Sequence, residues 1–69
     1  MHKYETIMYY SEDDQAFIVT VPELKGCMAD GHTPVEAMEN AQRVMTEWIE
    51  TARAEGWPVP ETKGRLYYA

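Results

Sequence analysis

Cys27, Asp30, His32 and Thr33 crowd into the stretch GCMADGHTPVEA, residues 26–37, where a thiol, a carboxylate, an imidazole and a hydroxyl could do two kinds of chemistry. A cysteine nucleophile needs a base within hydrogen-bond reach to form its thiolate, and His32 is the nearest candidate. Five residues of extended chain would separate the pair by up to ~17 Å at roughly 3.3 Å per residue, and only a turn at Asp30-Gly31 would shorten that path. A metal site would draw on His32, Asp30 and the distant His2, which lies at a terminus prone to fraying. A simpler reading covers more residues. Cys27 is a small buried hydrophobe, Asp30-Gly31 makes a turn, Thr33 caps a helix and His32 lies exposed between them. The expectation is a strand running into a helix, with no catalytic residue, no metal and no cofactor.

The elements on either side of that junction follow from side-chain pattern. Residues 3–10 (KYETIMYY) and 16–21 (AFIVTV) are rich in β-branched and aromatic side chains, and the polar SEDDQ between them has turn chemistry, which predicts a β-hairpin. Pro22 has no amide hydrogen for a ladder and ends the second strand, and Gly26 marks a turn before a short third strand at Cys27, Met28 and Ala29. Thr33, Pro34 and Glu36 make a helix start, with a capping hydroxyl, a proline at the first helical position and a glutamate that can reach back. Met38, Ala41, Met45, Trp48 and Ala52 then recur at helical spacing, with Val44 and Ile49 widening the stripe, while Glu39, Gln42, Arg43, Glu47 and Glu50 lie off it. On that spacing Trp48 belongs to the core, and Met38 and Met45 fill gaps. Gly56, followed by Pro58 and Pro60, stops the helix, and RLYYA can form a fourth strand. The order β-β-β-α-β predicts a small α+β sandwich of two layers.

Alternation along the first strand sends Tyr4, Met8 and Tyr10 to one face and Ile7 and Tyr9 to the other. One helix covers one face, so the second would expose a larger apolar patch than monomers usually carry. A homodimer or higher oligomer is expected, with Tyr4, Met8 and Tyr10 of the first strand and Leu66 and Tyr68 of the last at the interface.

Twelve acidic residues against six basic give a net charge of −6, which repels phosphate backbones and favours a basic protein partner over nucleic acid. Glu12, Asp13 and Asp14 at the hairpin tip, and Trp57 among prolines, are the candidate contacts; the bland alternative for the three acids is a solvated tip. At 69 residues the chain is expected to be one domain spanning 1–69. Its single cysteine and the absence of a Cys-x-x-Cys pair suit a reducing compartment. Without a signal-peptide pattern or a long apolar run, the expected location is cytoplasmic and off the membrane.

The ordered set formed by a strand entering Pro-Glu-Leu-Lys-Gly-Cys (22–27), then Asp-Gly-His-Thr (30–33), Glu36-Ala37, Asn40-Ala41, Trp48-Ile49 and Gly-Trp-Pro-Val-Pro (56–60) resembles the HicB family of antitoxins over nearly the whole chain. The resemblance implies a partial ribonuclease-H-like domain that neutralises a small basic messenger-RNA-cleaving toxin, HicA, by covering its active site. Many family members carry a C-terminal DNA-binding domain, and this chain stops where that domain would begin, so promoter binding by this chain is not expected. Two other classes compete. A ribonuclease-H-like nuclease would need clustered carboxylates around a divalent metal, yet the first strand offers only Glu5, and Glu36 and Glu39 are better explained as cap and surface. A stand-alone structural or adaptor domain with another basic partner is the third.

Overall fold

The computed structural model describes residues 3–60. Three antiparallel strands, β1 (Ile7–Ser11), β2 (Ala16–Thr20) and β3 (Met28–Gly31), form a sheet in the order β1-β2-β3, and one helix, α1 (Pro34–Glu55), packs across it. The architecture is therefore α+β, β-β-β-α among the described residues; the expected fourth strand at 65–69 lies outside them.

Local chemistry accounts for each junction. At the hairpin tip, Asp14 N–H donates to Ser11 Oγ at 3.3 Å, Gln15 N–H donates to Glu12 O at 3.3 Å, and Gln15 takes a left-handed φ of 50°. The loop from β2 to β3 folds on itself: Leu24 N–H donates to Val21 O, Cys27 N–H to Leu24 O, and Val21 N–H to Cys27 O, all at 2.9–3.1 Å, with Gly26 at φ 77°. Thr33 Oγ1 accepts from Glu36 N–H at 3.1 Å, and the Glu36 carboxylate reaches back to His32 N–H at 3.2 Å, so the start of α1 satisfies its own free donors. At the far end Gly56 is left-handed at φ 76°; its N–H donates to Arg53 O, and Trp57 N–H donates to Ala52 O at 2.7 Å. This paired closure occupies two carbonyls that would otherwise lack partners and sets the direction of the chain beyond the helix.

Two sequence expectations change. The pair Asp30-Gly31 is not a turn but the end of β3, paired with Ile18 and Phe17, and the bend falls at His32 and Thr33. Gly31 is required there by contact: a Cβ at this position would lie 2.5 Å from the backbone nitrogen of Ala37. The helix stripe is also rotated from the one expected. Ala37, Ala41, Met45, Ile49 and Ala52 form its buried centre, while Met38, Val44 and Trp48 pack along the flanks. Small alanines at the centre let the helix sit close to the sheet, where Val19, Leu24 and Met45 are completely buried. Each such large aliphatic side chain contributes about 1.5–3 kcal/mol by leaving water.

Candidate partner-binding surfaces

The GCMADGHT stretch does not assemble a reactive centre. Cys27 is 4% exposed in the β2–β3 loop, and burial pushes its thiol above the ordinary 9.0. His32 is exposed beyond the opposite end of β3, with four extended residues between them, about 13 Å of strand. Burial and this separation from His32 both disfavour the thiolate. Among the described residues no group of three or more histidine, cysteine or acidic side chains could hold a metal ion; His2 lies outside them. The carboxylates weighed for nuclease chemistry are also dispersed. Glu36 serves the helix cap and Glu39 is exposed at that end of the helix, whereas Glu5 precedes β1 at the other end of the sheet, its N–H donating to Glu23 Oε1 at 3.4 Å.

The register separates the two sheet faces. Met8, Val19 and Ala29 lie opposite one another, as do Tyr10, Phe17 and Gly31, and this is the face under α1. The other face, which no described element covers, carries Ile7, Thr20 and Met28 in one row and Tyr9, Ile18 and Asp30 in the next, with Ile18 itself buried. Ile7, Tyr9 and Met28 are 50%, 49% and 53% exposed, so the open apolar surface is the face opposite to the one carrying Tyr4, Met8 and Tyr10. Tyr4 is 7% exposed within the core, its hydroxyl donating to Pro60 O, and Met8 packs on the core. Tyr10, at the edge of the covered face, is half exposed and meets Phe17 edge-on at 5.1 Å. Leu66 and Tyr68 lie outside the described residues. The alternation itself was readable; which face the helix takes was not.

Glu12, Asp13 and Asp14 are all exposed at the hairpin tip, as expected, but Trp57 is at the other end of the molecule. The strand end at Gly31, beside Phe17 near the tip, leads into the start of α1, and the 22-residue helix then runs back, about 33 Å, to the β2–β3 loop. There the Trp48 indole N–H donates to Lys25 O at 2.9 Å, and the Trp48 and Trp57 rings stand 6.5 Å apart at 58°. Lys25, Gly26, Trp48, Trp57 and Pro58 line an open groove of about 530 Å³, and a smaller depression beside it adds Cys27, Val44, Glu47 and Thr51. Trp48, which sequence spacing places in the core, packs against the core's flank and also walls this groove, because the stripe is rotated toward Ala37 and Ile49.

The described residues thus form a small α+β domain with exposed apolar side chains on one sheet face and an aromatic groove at one end. Comparison with known proteins places it more closely. The profile of the HicB-like antitoxins of bacterial toxin–antitoxin systems matches residues 4–66, and the chain belongs to that family. It is similar to a UPF0150 protein of Synechocystis sp., with 30% identity over 60 residues covering 87% of this chain and 82% of the relative. A second UPF0150 protein of Synechocystis sp. shares 36% identity over 56 residues, covering 81% and 71%. One from Thermoplasma acidophilum shares 29% over 55 residues, covering 80% of each chain. No solved structure gives a significant match. Among the described residues, no helix is long and apolar enough to cross a membrane.

Proposed function

We propose that this chain is an antitoxin that binds a small, basic, HicA-type messenger-RNA-cleaving toxin and neutralises it by covering its active site. The observation that carries the proposal is membership of the HicB-like antitoxin family across residues 4–66. The charge of −6 supports it, since an acidic chain attracts a basic partner at long range and repels the RNA that partner acts on. On this reading the protein acts by binding in the cytoplasm and not by catalysis, and its three-stranded sheet under one helix is a reduced ribonuclease-H-like scaffold.

The uncovered sheet face supports self-association. Ile7, Tyr9, Thr20 and Met28 give it an uncharged, solvent-reaching centre around the buried Ile18, with Asp30 the charged residue in the paired rows, so two copies can meet there with few acidic groups opposed. The test of function is co-expression with a small basic HicA-type toxin from the same genome, followed by purification of the pair. Restored growth and a co-purifying complex are expected; continued toxicity and no complex would reject the antitoxin function.

A further inference from the structure

Both tryptophans of the sequence wall one groove, and both are held in place. Trp48 is pinned through its indole N–H to Lys25 O, which leaves that N–H unavailable to a guest. Trp57 follows the left-handed Gly56, its backbone is bonded to Ala52 O, and Pro58 restricts the chain on its other side. It is nevertheless 52% exposed. A large aromatic ring presented to solvent on a restrained backbone loses little entropy when a partner covers it, as binding anchors do.

The chemistry of the walls selects the guest. The indole faces carry negative π density, and Glu47 lines the smaller depression, which shares Gly26, Trp48 and Trp57 with the groove. An apolar guest would cover the rings but bring no partner to Glu47, which is exposed in the adjoining depression. A second copy of the chain would bring another net −6 to the face that carries Glu47 and Glu50. A planar cation with several N–H donors satisfies both features, stacking on an indole while donating to the carboxylate. Lys25 is the cation among the lining residues, and its flexible stem lets the ammonium turn to solvent while its carbonyl stays on Trp48.

We propose that the Trp48–Trp57 groove receives an arginine side chain of a basic protein partner, its guanidinium stacked on Trp57 and turned toward the Glu47 carboxylate. The protein partner rests on the antitoxin reading; the arginine preference rests on the groove. Intrinsic fluorescence reports on this groove because both tryptophans line it. The experiment titrates the full chain with hexa-arginine and hexa-lysine peptides at near-physiological salt, with a leucine-proline peptide as the uncharged comparison. Hexa-arginine is expected to saturate at about fivefold lower concentration than hexa-lysine of the same charge. Trp57→Ala, with Trp48 as the remaining reporter, and the surface variant Glu47→Gln should each bring the two peptides within about twofold, with far-UV circular dichroism unchanged. Neutralising Glu12, Asp13 and Asp14, a helix length away, should leave the preference intact. Equal titration by both charged peptides overturns the proposal, as does a preference that survives either groove variant or an equally effective leucine-proline peptide. Because no toxin enters this assay, its failure leaves the antitoxin reading standing, and failure of the co-expression test leaves the arginine site standing.

Discussion

Replacing Gly31 with alanine should damage this protein more than replacing either glycine that occupies the left-handed region. An added Cβ would stand 2.5 Å from Ala37 N, 2.9 Å from Ala37 Cα and 2.9 Å from Glu36 C. All three are backbone atoms in the first turns of α1, so no side chain can rotate away and the helix itself must lift. Lifting it strains the Asn40 Nδ2 bond to Asp30 O, 2.7 Å long, and loosens Ala37 and Ala41 from the sheet. Overpacking of this kind costs about 1–3 kcal/mol, and contact with rigid backbone puts it toward the upper end. For a domain of this size, about 2–3 kcal/mol lowers Tm by roughly 10–20 °C, a large share of a stability in the range of about 3–10 kcal/mol. At Gly56 a Cβ meets nothing within 4 Å, so Gly56→Ala carries only the left-handed backbone penalty of about 1–2 kcal/mol. Urea unfolding followed by tryptophan fluorescence should show a lower midpoint for Gly31→Ala with the slope unchanged. A Gly31→Ala loss equal to or smaller than that of Gly56→Ala would refute the close helix–strand approach.

Thr33→Ala should cost about 1 kcal/mol by removing the acceptor for Glu36 N–H, whereas His32→Ala should change stability by less than about 0.5 kcal/mol, both read by the same urea titration. Tyr9→Lys combined with Met28→Glu should shift sedimentation at low micromolar concentration from oligomer to monomer while circular dichroism is preserved; an unchanged oligomer would exclude the uncovered face as the interface. Burial raises the Cys27 thiol pKa, so above the ordinary 9.0 the unfolded chain releases a proton that the folded chain retains, and stability falls as pH rises. The stability advantage of wild type over Cys27→Ala should therefore shrink as pH climbs through and beyond 9.0, and a constant difference would refute that burial effect.

Local signals carried much of this fold. The hairpin and the span of α1 were legible because Thr33, Pro34, Glu36 and Gly56 act on backbone groups a few residues away. What stayed hidden was set between elements. Asp30-Gly31 has turn chemistry, yet pairing with Ile18 and Phe17 keeps it in β3, and the closeness of α1 gives Gly31 its purpose. Helical spacing put Met38 and Trp48 on the stripe with Ala41, Met45 and Ala52; packing on Val19 and Leu24 turned its centre toward Ala37 and Ile49. Trp57 was recognisable as partly exposed from its neighbouring prolines. Its companionship with Trp48, and its distance from the acidic tip, follow from the return path of the helix and have no signature at either residue.

The described elements meet in the order in which they are synthesised: β1 pairs with β2, β2 with β3, and α1 turns back from β3 onto the sheet. Each step therefore closes only a short loop, and chains dominated by such local closures fold far faster than those that must join distant segments. The contact between Tyr4 and Pro60 is the exception, since it joins the two ends of the described chain and must wait for the residues after α1 to emerge. On the proposed antitoxin function, quick folding is an advantage, because only a folded partner can hold the toxin. Local closure of the sheet and helix keeps short the interval in which a newly made toxin would meet no folded partner.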